Sequence, residues 1–260
     1  MFTKITKIVT KIKQEKPLIL NITNDVTMDF VANGLLSLGA SPVMSNAEQE
    51  VEELVKLAAC VVINLGTLNK AFNHLCEQTC IAANRFNKPI ILDPVGAGAS
   101  KYRTETSLHF LKEFQIAIVR GNASEIMALT NLSALTKGVD STMESADAVQ
   151  GAKLLSAYYN TVVVISGKTD VIVENEIAEE FTYGSPLMPL VTGTGCLLSS
   201  LVAAFHSVEK NRFDAAAAAA VFYGVCGEIA AKKSTGPGSF KMNFLDALHE
   251  IPEQNYDEKK

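Results

Sequence analysis

The run Thr192-Gly193-Thr194-Gly195-Cys196 sets a thiol directly after two glycines and directly before the apolar stretch Leu197–Phe205. A glycine-rich turn that opens a helix aims several backbone N–H groups at one point, where the helix dipole also favours negative charge. Gly193 and Gly195 permit a close approach that a Cβ would block. Such a turn can cradle a transferring phosphoryl group, although an ordinary helix start has the same spelling. Cys196 falls in the first turn, where thiol pKa values drop to roughly 3.5–7.5 from about 8.5. A thiolate there could accept the proton of a substrate alcohol, or attack a carbonyl. The second role wants a partner histidine, and none of His74, His109, His206 and His249 falls at an expected strand end. The base role is therefore favoured, against the ordinary alternative of a small buried hydrophobe.

Two carboxylates stand in comparable places. Asp93 ends the stretch Ile90-Ile91-Leu92-Asp93, and Glu125 lies one turn beyond Arg120-Gly121-Asn122. Phosphoryl transfer uses one or two carboxylates near Mg²⁺, often through water, so this pair is the metal candidate. The ordinary readings are a turn-starting Asp-Pro and a first-turn helix acid. No His/Cys constellation has zinc spacing.

These residues need a scaffold that gathers them. Short aliphatic strands alternate with longer helical segments, the pattern of βαβ units and a mostly parallel sheet. Strands are expected at Leu18–Asn21, Val61–Leu65, Ile90–Asp93, Ile116–Val119 and Val162–Ser166, with a hairpin from Val171–Val173 to Ile177–Tyr183. Helices are expected near Met28–Leu38, Glu48–Ala59, Asn69–Phe86, Ser124–Thr130, Ala146–Tyr158, Cys196–Val208 and Ala215–Lys233. In an open parallel sheet, ligands bind beyond the carboxyl ends of the strands. Polar or glycine residues follow five strands in succession: Thr23-Asn24, Gly66-Thr67, Asp93-Pro94, Arg120-Gly121-Asn122 and Ser166-Gly167-Lys168-Thr169-Asp170. Lys168 and Asp170 read as solvated loop charges.

With 260 residues and 48% hydrophobic content, the chain reads as one α/β domain over 1–260, ending in a flexible charged tail after Pro252. The net charge of −5 gives no basic footprint for nucleic acid or an anionic membrane. Ile5, Ile8, Val9 and Ile12 recur at helical spacing in a lysine-rich start, predicting an amphipathic helix laid on the domain; a membrane-surface helix is the alternative. Five cysteines without a C-x-x-C pair suit free thiols in a reducing cytoplasm, four of them structural.

Several of these segments, in order, resemble the hydroxyethylthiazole kinase family. They are Pro17–Asn24, Asn33–Met44, Asn64–Leu68, Leu92–Ala99, Arg120–Ile126 and Thr192–Leu197. The likeness runs from about Pro17 to Ala231, and the cysteine closing the glycine turn separates this family from relatives that carry Asp there. The resemblance implies a ribokinase-like α/β fold, with a mostly parallel central sheet sandwiched between helices. It implies ATP-dependent phosphorylation of the primary alcohol of hydroxyethylthiazole in thiamin salvage, with Mg²⁺. By the same resemblance Met44, Gly193 and Asn24 lie at the substrate, Arg120 and Ser166 hold ATP, and Asp93 and Glu125 lie near the metal. Ser166 stands where the family more usually has Thr. A homotrimer with sites near subunit boundaries is also implied. The rival readings are a pyridoxal or hydroxymethylpyrimidine kinase, a cysteine-nucleophile hydrolase, and a non-catalytic sensor of thiazole or nucleotide.

Overall fold

The computed structural model describes residues 1–132 and 145–250; the charged tail expected after Pro252 lies outside them. Eight strands form one sheet: β1 (Leu18–Ile22), β2 (Ser41–Met44), β3 (Cys60–Asn64), β4 (Ile90–Asp93), β5 (Ile118–Asn122), β6 (Val162–Ser166), β7 (Asp170–Glu174) and β8 (Ile177–Phe181). Their order is β2-β1-β3-β4-β5-β6-β7-β8. The first six pair parallel, and the β7–β8 hairpin adds two antiparallel strands.

Residue alternation along each strand divides the core in two. Ile19, Cys60, Val62, Ile91, Ile118 and Val164 face one layer; Leu20, Val61, Ile63, Leu92, Val119 and Val163 face the other. The first layer is covered by helices α1 (Phe2–Glu15), α2 (Met28–Leu38), α8 (Thr194–Val208), α9 (Arg212–Lys232) and α10 (Pro237–His249). The second is covered by α3 (Glu48–Leu57), α4 (Lys70–Arg85), α5 (Lys101–Glu113), α6 (Ala123–Leu132) and α7 (Ser145–Tyr159). Strands buried on both faces are why the sheet spells out as plain aliphatic runs.

In α1, Ile5, Ile8, Val9 and Ile12 are buried against the domain, as the spacing predicts. By length and composition α9 could cross a membrane, yet its alanine-rich surface is buried against α8 and α10. Small alanines let these helices approach closely.

Three elements escape the sequence reading. β2 carries Pro42, which argues against a strand unless it lies at an edge, and β2 is the edge. Helix α5 is rich in charge and has only a weak apolar stripe; Ser100 caps it by accepting from the Arg103 N–H. Helix α10 begins with Pro237 at its first position, where proline fits. The expected boundary of β5 also moves. The strand starts at Ile118, and Arg120, Gly121 and Asn122 belong to it, paired with Val164, Ile165 and Ser166 of β6.

Candidate active site

Gly193 caps α8 with φ of 96°, a left-handed conformation that favours glycine. Its carbonyl accepts from the Leu197 N–H at 2.8 Å, and the Thr194 N–H turns back to the Val191 carbonyl at 3.4 Å. Helix geometry then leaves the first-turn amides of Gly195 and Cys196 without intrahelical acceptors. Against them lies the Arg120 guanidinium, from the middle of β5. A Cβ built on Gly195 would stand 2.8 and 2.9 Å from its terminal nitrogens. The glycine therefore makes room for a cation at the helix N-terminus. Two free amides and a guanidinium converge there, a donor set for a phosphate.

Arg120 is nearly buried and its direction is fixed. It donates to the Ser166 hydroxyl across the β5–β6 pair, and its Nη1 is 3.7 Å from Asp93 Oδ2. Burial works against the arginine's charge, but Asp93, Tyr223 and Glu125 more than offset it and hold its pKa above the ordinary value. Arg120, Ser166, Thr194, Gly195, Asp170 and Tyr223 all line a cavity of about 700 Å³ beside the turn. That is ample for a nucleotide-sized ligand. Asp170, expected as a solvated charge, is buried: its Oδ1 accepts from the Gly167 N–H at 2.9 Å, and burial pushes its carboxyl up to about 6. Lys168 is exposed, as expected.

On the other side of the turn, Asp93 is fully buried at the end of β4. Its Oδ2 accepts from Asn64 at 2.8 Å and from Ser199 at 2.7 Å, while Oδ1 has no hydrogen-bond partner. Burial dominates over the pull of Arg120 and lifts its carboxyl to about 6. Glu125, in the first turn of α6, accepts from the N–H groups of Gly96 and Asn122, both at 2.8 Å. It braces two rim loops, and each oxygen keeps a second lone pair. An unpartnered buried carboxylate oxygen beside a second carboxylate fits a hard cation held otherwise by water and phosphate. Among the described residues no three-residue cluster of His, Cys, Asp or Glu could hold a metal alone.

Cys196 is half-buried and free, while the other four cysteines are buried. Its Sγ receives the Asn24 Nδ2–H at 3.4 Å. Contrary to the lowered pKa expected at a helix start, burial first and Asp93 second push this thiol above its ordinary value. The physical reason is that a buried carboxylate and the loss of water outweigh the helix dipole. The resting group is a thiol, and no histidine is among its hydrogen-bond partners. The nucleophile reading thereby loses its basis.

The sequence-predicted residues thus divide into linked groups. Arg120, Ser166, Asp93 and Glu125 are coupled through contact or charge; Asn24 meets Cys196. Gly193 packs on Thr27, whose N–H and hydroxyl both donate to Asn24 Oδ1. Met44 ends the edge strand opposite Asn21 of β1, half-buried at the same rim but outside these hydrogen bonds. Asn64 and Ser199 were missed. Their signals were a polar residue closing the aliphatic run Val61–Ile63, and a serine three positions after Cys196 inside an apolar helix.

A mostly parallel sheet with an anion cradle at its carboxyl rim is the arrangement of the ribokinase-like small-molecule kinases, and similarity to known proteins places the chain among them. A ribokinase-like superfamily protein from Enterococcus faecalis shares this fold, with a TM-score of 0.66 and 14% identity over 92% of this chain and 89% of its own. Within that class, the model of the hydroxyethylthiazole kinase family matches residues 9–254, and the chain belongs to that family. A hydroxyethylthiazole kinase from Desulfotalea psychrophila is 44% identical over 94% of this chain and 90% of its own. The hydroxyethylthiazole kinase structure from Pyrococcus horikoshii superposes with a TM-score of 0.88 at 36% identity, covering 94% of this chain and 92% of its own.

Proposed function

We propose that the chain transfers the γ-phosphoryl group of ATP to the primary hydroxyl of hydroxyethylthiazole, the step that returns this thiamin precursor to use. The observation that carries the proposal is the packing of the Arg120 guanidinium on Gly195, where the first-turn amides of α8 are free. ATP would occupy the adjoining cavity with Ser166 and Arg120 on its phosphates, and the alcohol would approach from the Cys196 side, with Met44 and Gly193 on the thiazole.

The hydroxyl oxygen attacks the γ-phosphorus in line; its bond to phosphorus forms as the bond to the β-phosphate oxygen breaks, the electron pair leaves with ADP, and the hydroxyl proton is shed late, to an oxygen of the transferred phosphoryl group and from there to water. Arg120 and the amides of Gly195 and Cys196 oppose the charge on the transferring group, each well-placed donor contributing about 3 kcal/mol in comparable sites. Charge neutralisation across the β- and γ-phosphates is what Mg²⁺ would supply, with Asp93 and Glu125 as the residues to hold it. The thiol of Cys196 orients the alcohol. A loose transition state asks for little prior proton removal, so a protonated thiol suits the step better than an obligatory thiolate base.

The open edge at β2 leaves Ser41–Met44 half-exposed beside the rim, which supports a homotrimer with sites near subunit boundaries. Five free thiols support a reducing cytoplasm.

The test is ATP consumption with product identification, offering hydroxyethylthiazole, pyridoxal and hydroxymethylpyrimidine in parallel with Mg²⁺. Thiazole-dependent ADP and a phosphorylated thiazole are expected. Turnover confined to another alcohol would refute the substrate while leaving the phosphoryl chemistry standing.

A further inference from the structure

An asparagine side chain has two donor protons and two acceptor lone pairs on oxygen. Asn24, 3% exposed, uses all four inside the protein. Its Oδ1 accepts from the Thr27 N–H and the Thr27 hydroxyl, each at 3.0 Å. Its Nδ2 donates to Asn64 Oδ1 at 2.8 Å and to Cys196 Sγ at 3.4 Å. Asn64, 1% exposed, continues the chain: its Oδ1 also accepts from the Gly66 N–H at 3.0 Å, and its Nδ2 donates to Asp93 Oδ2 at 2.8 Å.

Backbone N–H groups fix which way both amides face, because an N–H cannot accept. Thr27 forces the oxygen of Asn24 away from Cys196, and Gly66 forces the oxygen of Asn64 away from Asp93. Each NH₂ group therefore has one orientation open to it. Sγ is met by a donor, so the thiol's own proton is directed elsewhere. We infer that Asn24 is a positioning residue for Cys196, and not a hydrogen-bonding contact to the substrate. Together with Asn64 it forms a rigid two-amide bridge that holds Sγ in register with Asp93.

This inference rests on the proposed thiazole kinase activity and gives Asn24 a different task from the one its motif suggests. A substrate contact would have to break one of four satisfied bonds in a buried site and leave its protein partner without a replacement.

Asn24→Ala and Cys196→Ala, singly and combined, test it through steady-state kinetics. Asn24→Ala is expected to lower kcat several-fold while leaving the KM for hydroxyethylthiazole within twofold. In the Cys196→Ala enzyme, the same change is expected to cost less than twofold further. A large rise in thiazole KM, or losses that multiply in the double variant, would overturn the positioning role. So would an unchanged kcat. Should Asn24→Ala fail to fold, a crystal structure of the unmutated enzyme with hydroxyethylthiazole decides. Asn24 is expected to keep its four protein partners; an Asn24–thiazole hydrogen bond overturns the assignment. Turnover of thiazole by the unmutated enzyme is scored separately, so failure of the activity and failure of the bridge are distinguishable.

Discussion

Replacing Gly195 with alanine isolates the feature on which phosphate binding depends. The new Cβ would lie 2.8 Å and 2.9 Å from the two terminal nitrogens of Arg120 and 3.2 Å from its central carbon. Ordinary contacts of this kind sit at about 3.5–4.0 Å, so the guanidinium must retreat by roughly 0.7 Å or more. An arginine tip usually yields cheaply. This one is buried, bonded to Ser166 and paired with Asp93, so retreat strains those contacts. Loss of one charge-assisted hydrogen bond to phosphate is worth about 1.5–3 kcal/mol, a fall of roughly 10- to 150-fold in kcat/KM for ATP. Helix propensity runs the other way: alanine in an α-helix is favoured over glycine by up to about 1 kcal/mol. Gly195 lies inside α8 and outside the positive-φ glycines, so no backbone strain cancels that gain. The helix gain and the strain on Arg120 oppose each other, so the expected variant stays folded, with a Tm close to that of the unmutated protein, while losing ATP efficiency. Coupled kinetics over a range of ATP concentrations, with a thermal melt, provide the check. A Gly195→Ala enzyme with unaltered kcat/KM for ATP would refute the argument, as would a loss explained by unfolding.

Gly193→Ala should behave oppositely: its φ of 96° and a Cβ 3.0 Å from Thr27 predict lower stability by about 2 kcal/mol, read as a lower denaturation midpoint. Asp170→Asn should stabilise the protein near pH 7.5 and not near pH 4. A carboxyl lifted to about 6 from 3.8 favours the folded state below pH 4, and that advantage is lost as pH rises through 6. The shift sets an upper bound of about 3 kcal/mol, and melts at the two pH values test the sign. Arg103→Ala removes donors from the carbonyls of Leu65, Gly66 and Val95, bonded at 2.7–2.8 Å, and so frees the loops after β3 and β4. A stability loss on the order of 3 kcal/mol is expected, with little rescue by Lys, whose single ammonium lacks the guanidinium fork.

Much of the fold was legible because the parallel strands are buried on both faces and so appear as uninterrupted aliphatic runs. β2, α5 and α10 were not, since an edge strand with proline and two weakly amphipathic helices owe their form to what they pack against. The strand end at Arg120 was misplaced for a related reason. Its polarity resembles a loop, but pairing with β6 keeps it extended.

The amino-acid sequence by itself determined the chemistry available: glycines opening a helix, a thiol after them, carboxylates and an arginine spaced along the rim. Those depend on local backbone geometry and residue type. Tertiary structure alone decided which groups meet and in what protonation state. Burial strips water from Cys196, and Asp93, more than a hundred residues away in the chain, lies nearby; together they keep the thiol protonated where a helix start alone would favour the thiolate. Asn24 faces inward because Thr27, Asn64 and Cys196 together exhaust its hydrogen bonds. Desolvation and hydrogen-bond saturation are properties of the packed surroundings, and no spacing along the chain encodes them.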